Sequence, residues 1–172
     1  MLKELKKEES LLRSVDDKER EVLRLCSAAI KHLHNKELNK AKKLLKKAEK
    51  IIKNTNWGFR TIAYQEYVEA YSFYNVEVKG EVLKFPFLSI PARAFLNGTL
   101  DLIGELKRAF LSSLIRGERK RAYFYSTIML DIYDSLSLIV VDNRVVPEFR
   151  RKLDIARIQV DQVLSLLSSK MD

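Results

Sequence analysis

At 172 residues the chain fits one domain with room for a real core, and 47% apolar against 32% charged residues excludes a disordered or fibrous chain. A single cysteine, Cys26, excludes an intrachain disulfide, and no charge-free apolar run approaches the roughly 18 residues of a spanning helix, so no membrane role is expected. The net charge of +9 favours a polyanionic partner, although Lys-rich surfaces also serve solvation alone.

With only 5 Gly and 3 Pro, long helices joined by short turns are predicted, packed as one all-α domain over residues 1–172. The first helix is expected from about Ser10 to Leu33, with Asp16 or Asp17 near a local start. Inside it, Cys26 reads as a small core residue rather than a nucleophile. The charged N-terminus lacks the apolar region of a signal peptide, so a cytoplasmic protein is expected. The second helix spans about Glu37 to Asn54, with Leu38, Ala41, Leu44, Leu45, Ala48, Ile51 and Ile52 as its apolar stripe and lysines on the other face.

The third helix is expected from near Trp57 to about Asn75. Alternation around Lys79-Gly80 then predicts a short β-hairpin or extended loop near residues 76–86. The fourth runs from about Pro91 to Arg116, with Gly117 as its stop, and the fifth from about Glu118 to Val140. The sixth begins near Pro147. Its seam of Phe149, Leu153, Ala156, Val160, Val163 and Leu167 alternates by four and three residues, the spacing for packing on another helix. Ile155, Ile158, Leu164 and Leu166 widen that apolar surface, so oligomerisation is expected as well.

Two helices carry acids where apolar residues dominate. Glu66 and Glu69 are spaced i,i+3, and Asp101 and Glu105 i,i+4, so each pair shares one helical face. Buried carboxylates are costly without a partner. On the fourth helix a polar and small-residue stripe of Asn97, Gly98, Asp101, Gly104, Glu105 and Arg108 cuts an otherwise apolar surface; its glycines fit either close helix packing or room for a ligand, and the two acids between them favour ligand space. Hard oxygen donors suit Mg²⁺ or Mn²⁺, ions that polarise phosphate and activate water. Spacing alone leaves a metal site and salt bridges to Arg60, Lys107 or Arg108 nearly even. His32 and His34 are the only histidines, and neither follows a Glu by three positions, which argues against di-iron and His-zinc sites. No P-loop, dinucleotide fingerprint or nucleophile elbow is present.

The segments Tyr64-Gln65-Glu66-Tyr67-Val68-Glu69-Ala70-Tyr71-Ser72-Phe73 and Leu100-Asp101-Leu102-Ile103-Gly104-Glu105-Leu106-Lys107-Arg108 resemble the translin/TRAX family, and its TRAX branch more closely. Trp57 and Ile132-Tyr133-Asp134-Ser135-Leu136 agree more weakly. The resemblance implies a six- to seven-helix antiparallel bundle of the translin type, assembled as a homo-oligomer, a hexamer or octamer forming a hollow barrel. It implies a Mg²⁺-dependent (or Mn²⁺-dependent) endoribonuclease acting on single-stranded RNA, with single-stranded DNA as a further ligand. Glu66, Glu69, Asp101 and Glu105 fall on the family's metal-binding and catalytic carboxylates. Arg60, Lys107 and Arg108 are the candidate phosphate contacts. Residues 52–56, Ile52-Lys53-Asn54-Thr55-Asn56, lack the basic, His-containing segment that translin carries before the Trp, so a compact archaeal-type subunit would bind and cut by itself. The alternative implied is a translin-like protein that binds single-stranded RNA or DNA without cutting it.

Overall fold

The computed structural model describes residues 1–58 and 60–168. Six helices follow one another: α1 (Leu2–His34), α2 (Leu38–Lys53), α3 (Ile62–Lys79), α4 (Ala92–Ile115), α5 (Arg119–Ser137) and α6 (Phe149–Ser168). No strand occurs among the described residues, so the all-α expectation holds. No helix among them is long and apolar enough to cross a membrane.

Why α3 and α4 lie at the centre follows from their side chains. α4 buries residues over most of its circumference, including Phe95, Leu100, Leu102, Ile103, Leu106 and Phe110, and packs on α3, α5 and α6. α3 buries Ala63, Tyr67, Val68, Ala70, Phe73 and Val76 and packs on α1, α2 and α4. The α2 stripe behaves as its spacing predicts: Ala41, Leu45, Ala48 and Ile52 are buried, while the lysines of the opposite face are exposed. Every residue of the α6 seam is buried or partly buried within the chain. Ile155, Ile158, Leu164 and Leu166 remain exposed, as do Leu111 and Ile115 on α4.

The boundaries depart from expectation in several places. α1 starts at Leu2 rather than Ser10, so Asp16 and Asp17 lie inside the helix and start nothing. Residues 1–14 are exposed on every side, so no core pattern marks them as helical. Trp57 does not open α3. Gly58 takes a positive φ of 55°, which interrupts the helix, and α3 begins after Thr61. The Trp57 indole is buried and donates to the Ile52 carbonyl at 3.1 Å, so it packs against the end of α2 instead. The expected hairpin is absent. Val76 is buried and continues the α3 core face, and the helix closes at Gly80, in the left-handed conformation, whose N–H bonds the Val76 carbonyl at 3.0 Å. The rest of residues 80–91 is irregular. α5 ends at Ser137 and α6 begins at Phe149, each inside the expected range.

Gly98 fixes how closely α3 and α4 approach. A Cβ placed there would lie 2.5 Å from the Gln65 carbonyl oxygen and 2.9 Å from Val68 Cβ. Gly98 therefore serves close helix packing and leaves no space for a ligand, contrary to the expectation from the stripe. Gly104 differs: its nearest neighbour would be Gln159 Nε2 at 3.8 Å, ordinary contact. Gly98→Ala is expected to destabilise by about 1–3 kcal/mol through overpacking, whereas Gly104→Ala is expected to gain up to about 1 kcal/mol of helix propensity. Urea unfolding checks both; equal effects of the two substitutions would contradict the close crossing at Gly98.

Candidate functional site

The carboxylates sit where four helices meet. Glu66 and Glu69 project from α3, Asp101 and Glu105 from α4, with the Gly98 crossing one turn before Asp101. The α3 stripe descends from exposed Ile62 to fully buried Phe73, and Glu66 and Glu69 lie between them. α6 supplies Lys152, whose ammonium donates to both oxygens of Asp101 at 2.6 and 2.5 Å. Gln65 Nε2 donates to Asp101 Oδ2 at 2.8 Å. From the last turn of α1, His34 Nε2 lies 2.5 Å from Glu105 Oε2, and its ring packs 4.9 Å from that of Phe73.

Electrostatics bind the four acids into one set. Burial raises the Glu69 carboxyl to about 8, and the charges of Glu66, Asp101 and Glu105 add to the rise while Lys152 opposes it. Glu66 is raised too, chiefly by burial and then by Asp101, again against Lys152. Burial pushes the Cys26 thiol well up, with Glu66 and Glu69 contributing, and the side chain lies in the core as expected. A carboxyl that resists ionisation beside three others is short of positive charge.

As they stand, no three His, Cys, Asp or Glu side chains among the described residues are arranged to grip one ion. The donor chemistry nonetheless fits a hard divalent cation: four carboxyls offering oxygen donors, one of them raised to about 8 by burial first and by its acidic neighbours second. Asp101 would first have to release Lys152. Of the salt-bridge partners weighed from sequence, two are engaged elsewhere and the third is exposed. Arg60 bonds Asp16 and, at 3.4 Å, Glu19, both on α1; Lys107 bonds Gln162 on α6; Arg108 is exposed. Asn97 of the α4 stripe donates its Nδ2 to the Pro147 carbonyl at 3.1 Å, while its buried Oδ1 has no hydrogen-bond partner.

Sequence reasoning missed His34 and Lys152. Neither histidine follows a Glu by three positions, so the sequence gives His34 no site role, and the structure separates the two: His32 pairs with Glu37 at 2.5 Å on the turn into α2. Both missed residues reach the site across long stretches of chain, which no local spacing encodes.

A helical bundle with paired carboxylates on its two central helices defines the class of this protein. The chain belongs to the Translin family, whose model matches residues 2–166. It is 29% identical over 152 residues to an uncharacterised protein of Methanocaldococcus jannaschii, an alignment covering 80% of this chain and 66% of that one. Among solved structures it is similar to AfC3PO in a duplex RNA complex, with a TM-score of 0.86 and 28% identity over 95% of this chain and 90% of that chain. AfC3PO in another crystal structure gives the same TM-score and identity over 98% and 94%. The fold is shared by apo-NeC3PO, at a TM-score of 0.86 and 22% identity over 95% and 91%.

The Glu69 environment has a consequence for stability. On unfolding, Glu69 returns from about 8 to the ordinary value of 4.5. Between these values the folded protein holds a proton that the unfolded chain releases, so stability falls as pH rises through that window. Below it the residue is neutral in both states and the penalty disappears. Glu69→Gln is expected to unfold at higher urea than the parent at pH 9 in EDTA, with the difference vanishing toward pH 4. A stability difference that does not change with pH would contradict the crowded-carboxyl arrangement.

Proposed function

We propose that this protein is a metal-dependent endoribonuclease that cleaves single-stranded RNA, with Glu66, Glu69, Asp101 and Glu105 as its catalytic and metal-binding carboxylates. The observation that supports the reading is the placement of Glu66 and Glu69 on α3 against Asp101 and Glu105 on α4 at the close Gly98 crossing, at positions that match the TRAX-like motifs. Family membership and the likeness to AfC3PO, itself seen with duplex RNA, support RNA as the partner. The net charge of +9 agrees with it. The exposed apolar residues of α4 and α6 support a homo-oligomer, in keeping with the family's barrel assembly.

Bound Mg²⁺ or Mn²⁺ would be held by these carboxylates, and would supply Lewis acidity toward the phosphodiester and lower the pKa of water. The remaining work falls to the chain itself. Glu69, whose proton affinity lies near neutrality, is suited to orient the attacking water and take its proton. His34 fixes the orientation of Glu105 through their 2.5 Å contact. Lys152, once off Asp101, is a cation already at the reacting centre and can meet a phosphate oxygen. Arg108, exposed beside Glu105 on α4, is the next phosphate contact we assign, followed by Lys107 and Arg60, whose present partners must first be exchanged. Attack by water with departure of the 3′ oxygen leaves 5′-phosphate and 3′-hydroxyl ends.

One observation favours a second reading. Asp101 and Glu105 have partners within the chain, Lys152 and His34, and a protein that only binds RNA could keep its acids as structural pairs. The two readings differ in a cleavage assay on single-stranded RNA. Glu69→Gln and Asp101→Asn are each expected to lose at least about 100-fold in rate, and EDTA to abolish cleavage. Unchanged cleavage in both variants, or full activity in EDTA, would overturn the nuclease reading; RNA binding with no cleavage in Mg²⁺ or Mn²⁺ would establish the second.

Lys152 provides an independent check. As a cation chelated by Asp101, it competes with a metal for the same oxygens. Lys152→Met is expected to tighten Mn²⁺ binding about tenfold in calorimetry, a change of ~1.4 kcal/mol. Weaker or unchanged binding would mean that Asp101 is not a metal ligand.

A further inference from the structure

The corner between α4 and α5 gathers positive charge that the carboxylate site does not use. The chain reverses at Gly117, whose φ of 73° lies in the left-handed region. Arg116 at the end of α4 and Arg119, Lys120 and Arg121 at the start of α5 thereby share one end of the bundle. The turn between α1 and α2 reaches the same place. Lys36 from that turn lines, with Gly117, Glu118, Arg119, Lys120 and Arg121, a pocket of about 560 Å³.

Two of these cations are anchored from beneath. The Glu77 side chain is only 1% exposed. Its carboxylate accepts from Lys36 Nζ at 2.9 Å and from Arg121 Nη2 at 2.5 Å, and also from the Tyr125 hydroxyl. That hydroxyl in turn accepts from Lys36 at 2.8 Å and from Arg121 Nε at 2.9 Å. The other acid of the corner, Glu118, is taken by Arg116 at 3.0 Å. Arg119 and Lys120 are exposed, and neither has an ionic partner among the described residues. Five cations therefore face two carboxylates that are already engaged. Burial lowers the Lys36 ammonium below its ordinary value, and Arg121 and Arg116 push it further against the pull of Glu77. The cations crowd one another, and an anion in the pocket would relieve them.

We infer that this corner is a binding site for a backbone phosphate of single-stranded RNA, separate from the carboxylate centre. The ligand class follows from the donors. Arg121 is held rigidly by Glu77 and Tyr125, so little side-chain freedom is lost on binding, and a guanidinium fork matches phosphate oxygens. Arg119 and Lys120 add charge that can follow a strand across the surface. Position fits the same role. Glu77 lies eight residues after Glu69 on α3, about 12 Å of helical rise, and Lys36 lies two residues after His34, which touches Glu105. A strand held at the corner would reach the carboxylates within a few nucleotides.

The inference rests on the RNA reading proposed above, and the test separates the two. Binding of fluorescein-labelled single-stranded RNA to the full chain is measured by anisotropy in EDTA over a range of salt, so that cleavage and metal play no part. The corner variant Arg119→Gln/Lys120→Gln neutralises two exposed side chains, and Lys42→Gln/Lys46→Gln on the exposed face of α2 removes the same charge elsewhere. The corner variant is expected to bind at least tenfold more weakly, with a salt slope shallower by about 1.4, while the α2 variant stays within twofold of the parent. Equal losses in both variants, or no loss at the corner while the parent binds, would overturn the corner site and leave the RNA reading standing. Failure of the parent itself to bind RNA would overturn both.

Discussion

The close crossing of α3 and α4 brings together carboxyls that repel one another. Gly98 allows that approach, because any side chain there would strike the Gln65 carbonyl and Val68. Once the helices are this near, Glu66 and Glu69 on one must share a partly buried space with Asp101 and Glu105 on the other. The outcome is visible at Glu69, raised to about 8 by burial and by its three neighbours. A fold that only needed stability would have placed apolar side chains here, since burying charge costs more than burying a hydrocarbon of similar size.

The neighbouring helices moderate that repulsion without removing it. α6 presents Lys152 to Asp101, and α1 presents His34 to Glu105. These contacts draw on helices far apart in the chain, so the site forms only when the whole bundle has packed. Glu66 and Glu69 keep raised proton affinities even so. The chain thus holds a cluster that is partly neutralised by its own cation and still short of positive charge, as the proposed metal site requires.

Much of the scaffold was legible because helical periodicity is a local signal. α2 and α4 lie within a residue or so of expectation, and the α6 seam from Phe149 to Leu167 packs inward as its four-three spacing required. The acids were legible too, because charge on an otherwise apolar helix stands out. Errors came where tertiary context overrode local pattern. Alternation at Val76 and Val78 mimicked a strand, but burial of Val76 on the α3 core face kept the helix running to Gly80. Trp57 looked like a helix start and is instead a core plug bonded to Ile52. Gly98 looked like ligand space, and only the position of Gln65 on the facing helix reveals its purpose. His34 and Lys152 could not be read at all, since nothing in their own neighbourhoods records which acid each will meet.

The central claim is that Glu66, Glu69, Asp101 and Glu105 form a divalent-metal site. A crystal structure of the protein grown with Mn²⁺, with anomalous diffraction recorded, tests it most directly. The account predicts an anomalous peak between α3 and α4, within bonding distance of Asp101 and at least one α3 carboxylate, with Lys152 withdrawn from Asp101. No peak there at saturating Mn²⁺, with the Asp101–Lys152 pair intact, would contradict it.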